Sequence, residues 1–362
     1  MVRQRKAAGR LRVWAVVLAG VLLAAAPSGA SAGAGVMDPR EILGPLPLRN
    51  LQPIHLLFFE FTPERAYALR KGNLLVRLDI TETNTLLVDL GKEPSFKADM
   101  EMSRFAWRFL YGVTERLTLG LNLPLVFTHG PFLDQTIEAT ERGFGKLRGD
   151  RGAEISDQVS VTLVSAGITE IGISEGSFGI GDVSLEGKYQ FLRETFWVPA
   201  ASLRVAVKFP TGDFDKLHGS GKFDGAFGLA IQKIWGLWSA SLGGGVTIPG
   251  NPFTSSDLDP DPFLYAHLSL ERLITAHWSA VAQIKWVGGL MDIEVSPAVI
   301  VPDPEDVRPL TDRIVEVHLG AKWAFARNWL AQFAVVEDIA DSAAVGADFS
   351  FLVSLGARFA VK

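Results

Sequence analysis

Cysteine is absent from all 362 residues, so no disulfide can hold the fold together. Long apolar runs are nearly absent too: beyond residue 32 no stretch reaches 18 uncharged apolar residues, and no membrane-spanning helix is expected. A surplus of positive charge is also missing. The 35 Lys and Arg face 40 Asp and Glu, for a formal net charge of −5, which argues against nucleic acid as a partner. Catalytic signatures are equally scarce. His55, His129, His218, His267, His277 and His318 form no H-x-x-x-H or H-E-x-x-H pair, and the glycine runs at 143–146 and 219–222 do not complete a phosphate-binding loop. Asp257, Asp259 and Asp261 lack EF-hand spacing and read as a solvated acidic loop. No cofactor, metal centre or enzyme activity is expected from these patterns.

What is present begins with a leader. Arg3, Arg5, Lys6, Arg10 and Arg12 precede an apolar run at 13–26, and Ala30-Ser31-Ala32 follows. This is the layout of a secretory signal cleaved after Ala32, and the run is too short for an anchor, which needs about 20 apolar residues. Cleavage would move the net charge from −5 to −10. An exported chain that is 48% hydrophobic, with 36 glycines and no membrane helix, has the composition of a membrane barrel.

Periodicity carries the fold class. Phe105, Trp107, Phe109 and Tyr111 alternate with Arg104, Ala106, Arg108 and Leu110. After a polar turn, Leu117, Leu119, Leu121, Leu123, Leu125 and Phe127 alternate with smaller or polar residues. Period two over six apolar positions is a strand, because a helix would spread these residues around its circumference. The same pattern yields twelve strands, at 73–90, 101–111, 117–127, 182–191, 197–209, 225–232, 237–248, 263–270, 278–287, 313–325, 329–337 and 349–361. Five connections are short and six are long and rich in Gly, Pro and Asp. That alternation predicts a single antiparallel transmembrane β-barrel with short periplasmic turns and long external loops, in the outer membrane of a Gram-negative bacterium. Trp197, Trp235, Trp238, Trp278, Trp323 and Trp329 lie at or near the short turns, as an interfacial girdle requires, and Trp286 would belong to the outer girdle. A soluble β-sandwich would alternate as well, but it needs neither a girdle nor one-sided loops.

The domain order is then a leader at 1–32, a periplasmic N-terminal segment at 33–72 and the barrel at 73–362. Thr62, Pro63 and Gly72 predict a short helix over 63–70, which would either sit in the periplasm or plug the lumen. An apolar stretch at 159–173 around Gly167 could add a hairpin and raise the count to fourteen. The end, Ser354 to Val361, resembles the terminal-strand signal read by the barrel-assembly machinery, although Lys362 replaces the usual final aromatic. That machinery and outer-membrane lipid are the expected partners.

The inward phase is rich in charge. Arg77, Arg104, Arg108, Lys188, Arg204, Lys208, Lys285, Lys322 and Arg358 accompany Asp79, Asp182, Glu186 and Glu316 there, with His318 beside Glu316 and Lys322. A basic lining would attract anions, making Arg77, Arg104, Arg108, Glu186, Lys188, Arg204, Lys208, Glu316, His318 and Lys322 the candidate solute-binding residues. Alternatively the charges pair across the lumen and fill it. A lipid-modifying barrel enzyme would need Ser, His and a polar partner together at one rim on the lipid-facing side, and the sequence does not assemble such a group.

Gly179-Ile180-Gly181-Asp182, Gly187-Lys188-Tyr189, Val207 to Asp213 and Gly219-Ser220-Gly221 resemble the outer-membrane transporter family associated with meta-pathway phenol degradation. The wider layout, from Leu48-Arg49-Asn50 and Gln52-Pro53 through Thr83-Asn84-Thr85 and Tyr111-Gly112, is similar to a proteobacterial family known only as a domain of unknown function. The resemblance implies a channel or transporter for a small solute, hydrophobic or aromatic, while the lining suggests an anionic one. A plugged structural or surface-interaction barrel is the alternative.

Overall fold

Alternating apolar and polar residues give each strand one lipid-facing and one inward-facing side. In the computed structural model, residues 39–88, 95–130, 159–291, 313–338 and 349–361 are described. The expected leader lies outside them. Two short helices, α1 (Pro39–Ile42) and α2 (Pro53–Leu56), come first. The strands follow as β1 (Asn73–Val88), β2 (Ser95–Gly112), β3 (Leu117–His129), β4 (Ser160–Ser165), β5 (Ile168–Ile173), β6 (Ser177–Ile180), β7 (Ser184–Leu192) and β8 (Ala200–Lys208). They continue as β9 (Asp224–Trp235), β10 (Trp238–Ile248), β11 (Phe263–Leu273), β12 (Trp278–Val287), β13 (Ile314–Ala326), β14 (Trp329–Asp338) and β15 (Phe349–Ala360).

Twelve of these strands form a closed antiparallel ring. β1 pairs with β2, β2 with β3, β3 with β7, and β7 to β15 pair in sequence. The ring shuts where β15 returns to β1, from Asn73 opposite Ala360 to Asn84 opposite Phe349. Closure leaves none of the twelve ring strands with an unpaired edge, which a membrane demands. The β4–β5 hairpin does form, around Ala166 and Gly167 with φ of 51° and 73°, the left-handed pair of a tight hairpin turn. It does not raise the count to fourteen, because β4 pairs only with residues 95–99 at the outer end of β2 and the ring closes without it. β6 similarly pairs only with residues 125–128 of β3.

Outward positions carry exposed apolar side chains such as Leu203, Leu264 and Leu319. The girdle is present: Trp235, Trp238, Trp278 and Trp323 are exposed near the short turns, and Trp278 stacks on Trp323 at 5.4 Å. Inward positions are polar and buried, as at Gln232, Glu271, Gln283 and Lys322.

They are buried because the chain before β1 occupies the interior. It starts at the short-turn end, where Glu41 meets Arg358 at 2.5 Å. It rises past Gln283, which accepts from the Leu46 amide, and Glu316, which accepts from the Asn50 side chain. It turns at α2 and descends past Asp224, Arg108, Gln190 and Thr118 to β1. At the turn Ile54, Leu57 and Phe58 pack with Met100, Met102, Leu258, Phe263, Val287 and Leu290. Lower down, Leu46, Leu48 and Leu51 pack with Val281, Val336 and Leu352.

The helix expected over 63–70 is absent, and the physical reason is visible in its hydrogen bonds. The amides of Ala66, Ala68 and Leu69 donate to Gln232, Gln190 and Thr118, and the carbonyls of Thr62, Arg65 and Ala66 accept from Arg204, Lys188 and Ser202. The wall satisfies the backbone groups that a helix would have paired internally.

Candidate functional site

The interior charges form three connected groups. In the first, β2, β7 and β8 aim Arg108, Glu186, Lys188 and Arg204 at Glu64 of the N-terminal segment. Arg108 lies 2.7 Å from Glu64 and 3.1 Å from Glu186, Lys188 is 3.3 Å from Glu64, and Arg204 is 2.9 Å from Glu186. The Arg204 guanidinium also covers the Phe61 ring at 4.3 Å. All are buried, so the pairing is what makes their burial tolerable.

Nearer the external end, Lys208 sits between Asp182 at 2.8 Å and Asp224 at 3.0 Å, and donates to the Leu57 carbonyl. Asp182 also accepts from the amides of Thr211, Gly212 and Ser220. This explains the loop motif. A Cβ on Gly219 would lie 2.4 Å from the Asp182 carboxyl carbon, so glycine lets that loop approach.

The third group faces β12 and β13. Lys285 meets Glu60 at 2.5 Å. Glu316 contacts His318 at 3.1 Å, and His318 contacts Gln283 at 2.9 Å. Toward the short turns Lys322 donates to Glu271 and to the Gly44 carbonyl. Arg77 pairs with Asp79, whose carboxylate also accepts from Ser354. Arg104 differs from the rest: its buried guanidinium makes no hydrogen bond or ion pair among the described residues, and it lines a small cleft with Arg49, Thr62 and Asn122. A larger cavity of about 430 Å³ opens between the segment and the wall, bordered by Arg65, Tyr67, Arg77, Lys188, Glu194 and Arg358.

The lining is therefore not a free basic surface. Glu41, Glu60 and Glu64 come from the segment, and Glu271 and Asp224 come from wall positions at strand ends. Asp224 and Glu271 each lie one residue beyond the strand limits that the alternation predicts, 225 and 270, and inside the strands as they form. Carrying the period-two pattern one step further would have found both acids.

Metal-binding potential lies elsewhere. Among the described residues, Glu82, Glu101 and His129 are the group of acidic and imidazole side chains close enough to share an ion. They are on the outward face of the wall. Ser103 touches His129 there, so the register does bring together a Ser–His–acid set that the sequence alone did not reveal.

A model for proteins of unknown function, DUF3187, matches residues 34–359. No curated protein matches the chain. Among solved structures it is similar to the COG4313 outer-membrane channel from Pseudomonas putida F1, with 17% identity and a TM-score of 0.53, over 81% of this chain and 98% of that one. At that identity the likeness is one of fold. A weaker likeness is to the Ralstonia pickettii toluene transporter TbuX, with 10% identity and a TM-score of 0.40, over 80% and 90% of the two chains. The match is to a family of unknown function, as the wider layout suggested, and it does not extend to the phenol-degradation name. Spanning nearly the whole sequence, it establishes that the chain belongs to the DUF3187 family.

Proposed function

We propose that the protein is an outer-membrane channel for a small solute, held shut by its own N-terminal segment. The observation that carries this reading is that inward wall side chains bind the segment's backbone and acids rather than filling the lumen by themselves. Lys208, Lys322, Gln190 and Gln232 each reach a backbone group of residues 42–68. Moving a strand of chain vacates a path; a lumen packed with wall side chains could not be vacated in this way. Because Arg77, Arg108, Lys188, Arg204, Lys208 and Lys322 are paired with acids, attraction of an anion rests on Arg104 alone among the proposed solute contacts. A small uncharged solute, such as an aromatic one, fits this better.

The apolar cluster around α2 favours a second reading, a permanently plugged barrel. Planar-bilayer conductance separates the two. The full chain should show brief or small openings, and a variant lacking residues 41–66 should conduct steadily. Glu60→Gln/Glu64→Gln, which keeps the chain whole, should raise open probability. If all three insert and stay silent, the channel reading fails and the structural barrel stands. Uptake of benzyl alcohol ahead of a sugar of similar mass, in liposomes carrying the conducting variant, tests the solute class.

A further inference from the structure

Two guanidinium groups in the lumen have no carboxylate partner among the described residues. Arg104 projects inward from β2, and Arg49 stands on the rising arm of the N-terminal segment, just before α2. Both line the small cleft that also takes in Thr62, Asn122 and Ser184. Arg49 Nη2 donates to the carbonyls of His55 at 3.4 Å and Phe58 at 2.5 Å, which orient the group without neutralising it. The Arg104 guanidinium makes no hydrogen bond or ion pair among the described residues. Its nitrogens face the cleft, although the residue is only 9% exposed.

The acids on the cleft are already committed. Asp182 takes Lys208 and three loop amides. Glu186 takes Arg108 and Arg204. Glu60 meets Lys285 with one oxygen and accepts from the Asn50 amide with the other. Arg49 and Arg104 are thus the surplus cations of this region, and they face the same space. A buried cation without a counter-charge is strongly destabilising, and a second cation across the cleft adds repulsion. The site calls for an anion that the described chain does not supply.

We propose that Arg49 and Arg104 share one chloride ion, which fastens the N-terminal segment to the wall at β2. Size selects the class of anion. The cleft holds about 30 Å³, the space of about two waters at roughly 10–15 Å³ each, which suits a monatomic ion and leaves no room for sulfate or an organic carboxylate. The remaining donors are in place. Asn122 and Ser184 stand directly opposite one another on β3 and β7. Their side chains and the Thr62 hydroxyl make no hydrogen bond among the described residues, so an amide N–H and two O–H groups complete the shell of the ion. The ion is a resident counter-charge and not cargo, so the inference is independent of whether the segment ever leaves the lumen.

The test uses chloride on the full-length protein refolded in detergent, with gluconate replacing it at constant ionic strength. Because the ion binds only the folded state, the folding equilibrium constant from urea unfolding should rise about tenfold for each tenfold of chloride above the dissociation constant. Gluconate is too large for the cleft and should produce no rise. Arg49→Met and Arg104→Met should each flatten the chloride dependence, with folding checked by heat-modifiable gel mobility. Wild-type crystals soaked in bromide should show one anomalous scatterer between Arg49 and Arg104, a readout that holds even where a variant does not fold. Equal urea midpoints in chloride and gluconate would overturn the proposal, leaving water as the only solvent of the two cations. A chloride dependence that survives in both variants would also overturn it, since the ion would then act elsewhere. So would bromide density absent from the cleft.

Discussion

Arg108 shows how much rests on single side chains in the lumen. It holds Glu64 of the segment and Glu186 of the wall at once, and all three are buried. Removing one partner of a buried ionic group strands the others, at a cost of about 3–5 kcal/mol. Arg108→Met should therefore lower the urea midpoint of the refolded barrel by that equivalent. Glu64→Gln, which leaves a hydrogen-bonding amide in place, should cost less. Equal midpoints for wild type and Arg108→Met would show that Lys188 and Arg204 hold the two carboxylates without it. Candidate residues such as Arg108 and Lys188 were legible in the strand phase, because a charge on the inward side of a strand is conspicuous. Their partners were not. Glu41, Glu60 and Glu64 lie in a stretch with no strand period, and nothing in local sequence says which wall residue they meet.

At the scale of elements, the returning arm of the segment is fastened at its lower end. The Tyr67 hydroxyl donates to Glu194 at 2.6 Å, and Glu194 also takes the Ile234 amide at 2.8 Å and Lys233 at 3.2 Å. Glu194 belongs to the turn between β7 and β8. Burial pushes its carboxyl upward, but the hydrogen bonds from Tyr67, Ile234 and Lys233 outweigh it and hold the pKa below the ordinary glutamate value. A carboxyl lowered by folding contributes stability that is fully present above its unfolded pKa and is lost as pH falls through the folded one. Limited proteolysis of the segment should thus accelerate on acidification, and Glu194→Gln should give fast cleavage already at neutral pH. An acid step that persists unchanged in Glu194→Gln would assign it to another carboxyl. The missing helix at 63–70 belongs to this scale too. Thr62, Pro63 and Gly72 are sound local signals, yet side chains from β3, β7, β8 and β9 capture that backbone.

For the whole molecule, the closed ring implies a fixed depth in the bilayer. Trp235, Trp238, Trp278 and Trp323 project from the short-turn end, whereas Trp286 sits toward the opposite rim. Single-tryptophan variants in vesicles with lipids brominated at different depths should divide into those two groups, each quenched best near an interface and poorly at mid-chain. Uniform lack of quenching would mean that the belt does not face lipid.

An antiparallel barrel of about twelve strands was determined by the sequence alone, because side-chain alternation is a local property and antiparallel neighbours are joined by turns or loops. The same holds for the aromatic girdle and for the inward placement of Arg204, Lys208 and Lys322. Only the tertiary structure decided where residues 41–69 run, which carboxylates neutralise the inward bases, and that the β4–β5 hairpin stays outside the ring. It also decided that Glu82, Glu101 and His129 meet, since their union depends on the register of three strands. These are contacts between positions far apart in the chain, governed by burial and charge complementarity, and no local period encodes them.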